Sequence, residues 1–452
     1  MARTHSRKAM PDPQRQALVR AQAARGEYEF VIVGSGASGA TVARQLASGG
    51  HKVLVVEAGR PVRKVGTFPR AISFFDVERL SRMPPRSVGG VRIWRAFATG
   101  GTTVFSCANG VPSLTCELEA AGAGIEDELR DVEKELCVSP MAEGLLSQGT
   151  RSILEASREL GFRMEMTPKF IRFDKCRRCG HCVYGCAYGA KWSALDPLDD
   201  ALRHGADLLV DTRVSSVRVK RDKAVGVEAI SARKRIFIRA PRVVLCAGGL
   251  GTPQVLHRSG VQGAGQGLFV DIFVTAYGLT DGLDMTREPP MAIADMEFQR
   301  GRGFILASYV NTGMPLRFVD GGVRAALLPR QRMIGLMVKI ADERSGHIGA
   351  GNRVRKAITE QDRRRLDEGL GIARDILLKA GVTPRSLRVS HPQAAHPGGT
   401  AAIGEVVDAD LRTGVEGLFV CDASVLPTAP GLPPILTLLA LAKRLATRLA
   451  QE

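Results

Sequence analysis

The chain has 452 residues, 44% of them apolar, and a formal net charge of +17. That length allows a large core and two to three domains, while no apolar run reaches the about 20 residues of a membrane helix. Aromatic residues are only 5% and no nucleic-acid module is recognisable, so the basic surface points to acidic or anionic partners rather than nucleic acid.

Residues 1–28 read as a basic arm, a solvated tail that is mobile or helical, with peripheral membrane contact as the alternative role. The arm lacks the apolar core of a secretory signal. The nine cysteines are therefore expected to be reduced, and the expected location is cytoplasmic.

The stretch from Phe30 to Gly59 then reads strand, tight turn, helix, strand. Val31, Ile32 and Val33 lead into Gly34-x-Gly36-x-x-Gly39, and a second apolar strand, Val53 to Val56, ends at Glu57. Gly34 allows the turn, Gly36 lets backbone N–H groups approach a pyrophosphate at the helix N-terminus, and Gly39 lets helix and strand pack closely. Glu57 falls about 20 residues on, where a carboxylate takes the ribose hydroxyls of a dinucleotide. Gly34, Gly36, Ala37, Ser38, Gly39, Glu57 and Ala58 are the expected cofactor-binding set of this stretch.

After a Pro- and Arg-rich passage, Gly100-Gly101-Thr102-Thr103 offers a second place where backbone and hydroxyls meet a ligand. GSGASG, Glu57-Ala58-Gly59 and GGTT together resemble the N-terminal part of the glucose-methanol-choline (GMC) flavoprotein oxidoreductases. The resemblance implies that the cofactor is FAD and that Gly100 to Thr103 lie against it. The Asn that the family carries just after this motif is matched by Asn109, a few residues late.

Lys175 to Lys191 sets Cys176, Cys179, Cys182 and Cys186 at the C-x2-C-x2-C-x3-C spacing that bacterial ferredoxins use for a [4Fe–4S] cluster. Ala187 follows where ferredoxins have Pro, and no second run is present to share a second cluster. Four thiolates also suit zinc, and relatives resembling long-chain alcohol oxidases carry a similar stretch without its implying a working cluster. Iron–sulfur, zinc and a metal-free thiol group all remain open from the sequence.

The chain then resumes the family's order. By resemblance, Val214 makes a backbone contact near the adenine, and residues 242–261 return a buried strand and a helix to the FAD domain. Alternation in Leu268 to Ala276, Phe304 to Val310, Ala325 to Leu328 and Met333 to Ile340 predicts an antiparallel sheet, with a charged helix from Thr359 to Ala380. The fold class is α/β (α+β overall): a Rossmann-type FAD-binding domain with a discontinuous antiparallel-sheet substrate domain. Residues 29–168, 193–262 and 391–452 would form the first, second and C-terminal parts of the FAD domain; 169–192 the cysteine-rich insertion; and 263–390 the substrate domain.

His396, in His396-Pro397-Gly398-Gly399-Thr400, matches the family's catalytic histidine, whose imidazole receives the hydroxyl proton while flavin takes the hydride. The family's second His or Asn is replaced by Pro433, leaving His391, Gln393 or a group from the substrate domain as substitutes, or a substrate other than a simple alcohol. Asp422, Pro434 and Thr437 complete the FAD contacts implied by resemblance, the helix near Pro434 aiming its positive end at the flavin. The expected activity is oxidation of an alcohol CH–OH group by an FAD-dependent dehydrogenase, with electrons passed through the cluster to an acidic carrier protein. The alternatives are a flavin and iron–sulfur electron-transfer subunit of a larger complex, or different flavin chemistry on the same fold.

Overall fold

The computed structural model describes residues 13–451 except 27, 79–82, 312, 350 and 352. Five parallel strands form its first sheet, in the order Leu418–Val420, Arg242–Leu245, Phe30–Val33, Val53–Val56 and Asp207–Leu209. Their side chains are almost all buried on both faces, which is why these strands are continuous apolar runs rather than alternating ones. The helix Ala37–Ser48 crosses between the first two strands. It packs so closely that a Cβ added at Gly39 would lie 2.0 Å from the Gly34 carbonyl oxygen, and Gly34 itself turns at a φ of +104°. A three-stranded meander (Thr212–Lys220, Lys223–Ser231, Lys234–Arg239) flanks this sheet.

The helix Pro13–Arg25 corrects the solvated-tail expectation for the described part of the arm; residues 1–12 lie outside the described residues. Val19 and Ala23 are buried. The Gln16 amide donates to Leu208 O (2.6 Å) and accepts from Val210 N (3.1 Å), so one side chain satisfies the backbone at the edge strand of the parallel sheet.

The other large sheet is mostly antiparallel and centres on Ile272–Leu279, Met333–Ile340 and Phe304–Ser308. Alternation gives each strand two destinations. Ile334, Leu336, Val338 and Ile340 pack into a core with the helices Gln148–Glu159 and Glu360–Lys379, while Met337 and Lys339 turn the other way, into a cavity. Glu360–Lys379 begins where expected because Thr359 and Asp362 form a reciprocal capping box. Ala325 to Leu328, expected as strand, instead ends the helix Met314–Ala326. There Leu316 and Val319 are buried one turn apart, the helix bends at Gly321 and Gly322 before Ala325, and a four-residue window is too short to separate helical period from alternation. Among the described residues no helix is long and apolar enough to cross a membrane.

Candidate functional site

A cavity of about 470 Å³ lies between the two large sheets. It opens at the carboxyl ends of the parallel strands, where Val33-Gly34, Val56-Glu57 and Cys246 line it, the position at which parallel α/β sheets receive ligands. Gly36, Ala37 and Ser38 bring the N-terminus of Ala37–Ser48 to its wall, with no side chain capping the first-turn amides. A second helix, Ile435–Leu449, points its uncapped start at the same cavity through Pro433, Pro434 and Ile435. Two helix N-termini facing one long cleft make a cradle for an anionic, extended ligand. A Cβ added at Gly36 would meet no atom within 4 Å, so that edge of the cradle is open space.

Most expected cofactor residues do meet on this wall: Gly34, Gly36, Ala37, Ser38, Glu57, Ala58, Gly101, Thr102, Thr103, Asn109, Val214, Asp422 and Pro434. Their bonds in the ligand-free chain are specific. Burial pushes the Glu57 carboxyl above its ordinary range, and its oxygens accept from Ser35 N (2.9 Å), Ser35 Oγ (2.6 Å) and Gly59 N (2.7 Å). Asp422 caps two helical turns, accepting from Gly248 N (2.8 Å), Thr252 Oγ1 (2.5 Å) and Ser424 N (2.8 Å). Asn109 is held by the fully buried Lys169, whose ammonium also donates to Pro290 O at 2.7 Å.

Four expectations stand differently. Gly39 and Gly100 lie behind the wall and shape it: Gly39 admits the helix, and Gly100, at a φ of +79°, donates its N–H to Ser35 Oγ at 3.1 Å. Thr437 is buried against Ser113, donating to its carbonyl at 2.8 Å, and ties the last helix to that loop. His391 is exposed and off the wall, whereas Gln393, in the short strand Gln393–Ala394, is buried and lines it.

His396 reaches the cavity with 27% of its side chain accessible, and its Nδ1 lies 3.0 Å from Asp271 Oδ2 and 3.1 Å from Lys339 Nζ. Burial and the neighbouring Lys339 cation lower its pKa from the ordinary imidazole value, against the pull of Asp271. With Nδ1 engaged, Nε2 is the nitrogen left for a ligand. Phe273, Met291, Tyr309, Leu316 and Met337 give the surrounding wall an apolar and aromatic surface. Asp271 and Lys339 were missed from the sequence. The signal was a lone charge in each of two apolar strands, LFVDIFV and MIGLMVKI, since such charges are seldom buried without a partner or a task.

Cys176, Cys179, Cys182 and Cys186 border one small pocket of their own, together with Lys191. Among the described residues no group of three or more His, Cys, Asp or Glu is arranged to hold a metal ion. Burial pushes the Cys182 thiol up to about 12, with Lys191 opposing. The pocket shares a wall with the main cavity: Cys182 faces the cysteines, and the next residues, Val183 and Tyr184, line the main cavity. The fully buried Lys191 ammonium donates to Val104 O (2.8 Å), Ser106 O (2.8 Å) and Cys182 O (3.1 Å), pinning the two loops together.

Comparison with known proteins agrees with this geometry. Two GMC oxidoreductase family models match residues 117–272 and 352–442, and a Rossmann-like NAD(P)-binding model matches residues 32–62. A GMC-type oxidoreductase of Mycobacterium tuberculosis is 30% identical over 483 residues, covering 92% of this chain and 75% of its own. A long-chain-alcohol oxidase of Arabidopsis thaliana is 24% identical, covering 94% and 67%. Among solved structures, pyridoxine 4-oxidase from Mesorbium loti superposes with a TM-score of 0.70 at 18% identity over 94% of this chain and 99% of that one. A formate oxidase of Aspergillus oryzae gives 0.71 at 15% identity over 93% and 97%. With its helix-cradled cleft, its HPGGT histidine and these matches across both ends, the chain belongs to the GMC oxidoreductase family.

Proposed function

We propose that the protein is an FAD-dependent oxidoreductase that oxidises an alcohol CH–OH group, with His396 as the base. The observation that carries this reading is that His396, its Nδ1 engaged by Asp271, lines one cavity with the apolar Phe273 and Met337, with Gly101 to Thr103 and with Pro433 to Ile435. FAD bound in the cleft supplies the acceptor for the hydride of the C–H bond. Ala37 and Ser38 offer first-turn amides to the pyrophosphate, and Glu57, freed from Ser35, accepts the ribose hydroxyls. The uncapped start of Ile435–Leu449, which lines the cleft, would stabilise negative charge on a flavin reduced there. His396 takes the hydroxyl proton on Nε2, and its lowered pKa keeps it neutral and ready to do so near neutral pH. Phe273, Tyr309 and Met337 favour an alcohol with an apolar body.

The test is anaerobic absorbance spectroscopy of the purified protein. Flavin bands should be present, a panel of apolar alcohols should bleach them, and His396→Ala should slow bleaching by about 10²- to 10⁴-fold. Folded protein without flavin, or flavin that no alcohol bleaches, refutes the reading.

The second part of the proposal is that the four cysteines hold an iron–sulfur cluster that passes electrons outward to an acidic carrier. The four cysteines border one pocket, and that grouping, with their C-x2-C-x2-C-x3-C spacing, is what supports this reading. The shared wall at Cys182 to Tyr184 keeps that pocket next to the flavin end of the cleft. Iron and acid-labile sulfide in protein prepared without oxygen decide the matter.

A further inference from the structure

Asp271 is held in a conformation that the chain does not adopt without reason. Its φ is +53°, in the left-handed region that non-glycine residues seldom occupy, and its side chain is fully buried. The two flanking amides are clamped by a second buried carboxylate: Val270 N donates to Asp342 at 3.1 and 3.2 Å, and Ile272 N donates to it at 3.3 Å. Asp342 is in turn paired at 2.8 Å with the fully buried Lys356. The result is an aspartate fixed from behind and aimed at one place.

At that place its two oxygens do different things. Oδ1 accepts the Gly431 N–H at 3.1 Å, which ties it to the segment carrying Pro433. Oδ2 accepts from Lys339 Nζ at 3.0 Å and faces His396 Nδ1 at 3.0 Å. Lys339, 3% exposed, also stands 3.1 Å from the same imidazole nitrogen. An ammonium has donors only and a carboxylate acceptors only. When Nε2 takes a proton, Nδ1–H therefore needs Asp271 as its acceptor, because Lys339 has nothing to accept with. Proton uptake changes the charge of the group from zero (Asp271 −1, Lys339 +1, neutral imidazole) to +1, opposite to the charge gained by a reduced flavin.

We infer that Asp271 and Lys339 are positioning residues for His396: Asp271 fixes the imidazole with its proton on Nδ1 and Nε2 bare, and Lys339 holds Asp271 charged while keeping the resting imidazole neutral. Burial and the Lys339 charge both lower the His396 pKa, and Asp271 stays below its ordinary value although burial alone would raise it, because Lys339 and His396 outweigh burial. The inference rests on the reading of His396 as the base.

Two measurements keep the inference separable from that reading. The first needs no substrate: ¹⁵N NMR of histidine-labelled holoprotein, with the His396 signals assigned by their loss in His396→Asn. The neutral imidazole should carry its proton on Nδ1, and Lys339→Met should move its titration up by about one pH unit, as removal of a like charge within about 4–6 Å does. Lys339→Arg should leave the titration near that of the parent. The second is the pH profile of flavin reduction by a bleaching alcohol, whose acid limb should move by the same amount. An Nε2–H tautomer in the parent, or an unmoved titration in Lys339→Met, overturns the inference. If Lys339→Met does not fold, Asp271→Asn/Lys339→Met removes both charges at similar volume. The Nε2–H form should then become visible, and an imidazole still wholly Nδ1–H also overturns the inference. Absence of bleaching by any alcohol counts against the proposed reaction and leaves the NMR result standing.

Discussion

At the scale of single residues, an unusual carboxylate sits behind the cavity residues Asn311 and Gln393. Asp320 is buried and accepts from the Asn311 amide at 2.9 and 2.8 Å and from Gln393 at 2.9 Å; burial outweighs these bonds and pushes it up from 3.8 to about 6. Because the folded-state value lies above the unfolded one, the stability it contributes is complete below about pH 4 and is lost as pH rises through about 6. Across that window the parent should lose about 3 kcal/mol that Asp320→Asn does not lose. Urea unfolding at about pH 3.5 and 7 reads most of the difference, and equal changes in the two proteins would show that the carboxyl titrates normally. Nothing in PLRFVDGGVRAA marks Asp320 as a buried carboxylate. Its burial is decided by Asn311 and Gln393, which lie 9 and 73 positions away in the chain.

At the scale of elements, the strand–turn–helix from Phe30 to Ser48 was legible because every part of it is local. The roles of its last two glycines can be separated. Gly36 has a φ of −71°, open to alanine, and its added Cβ would meet only the cavity. Gly36→Ala should therefore fold with unchanged stability, within about 0.5 kcal/mol, and lose flavin affinity by about tenfold or more. Gly39→Ala would drive its Cβ onto the Gly34 carbonyl and should cost about 1–3 kcal/mol of stability. Thermal melts with and without added FAD distinguish the two, and a stable, flavin-poor Gly39→Ala would contradict the assignment. The strand Met333–Ile340 shows the opposite case. Its apolar run gives the element, but which alternate residues face the cavity depends on the helix Glu360–Lys379 covering the other side.

At the scale of the whole molecule, the cysteine pocket sits beside the cleft rather than apart from it, with Lys191 joining the two loops. Protein purified without oxygen should contain about four iron and four acid-labile sulfide per chain, and Cys179→Ala should remove both while leaving flavin bound. Zinc in their place, or no metal with all four thiols reactive, would sink the electron route and leave the alcohol chemistry intact. If the cluster is present, reduction of an acidic one-electron carrier should slow as salt is added, since the chain carries a net charge of +17.

The sequence by itself determined the dinucleotide cradle, the cysteine spacing and the histidine, because each is written in residues close along the chain: Gly34 to Glu57, Cys176 to Cys186, and His396 to Thr400. Only the tertiary structure decided what stands behind that histidine. Asp271, Lys339 and His396 come from three separated segments, and two of the three look like stray charges until the antiparallel sheet turns them toward the same nitrogen. Tertiary packing likewise excluded His391, admitted Gln393 and docked the basic arm through Gln16. Local patterns fix elements through backbone geometry, whereas the protonation and orientation of a buried group depend on charges and acceptors that only folding brings within 3 Å or so of it.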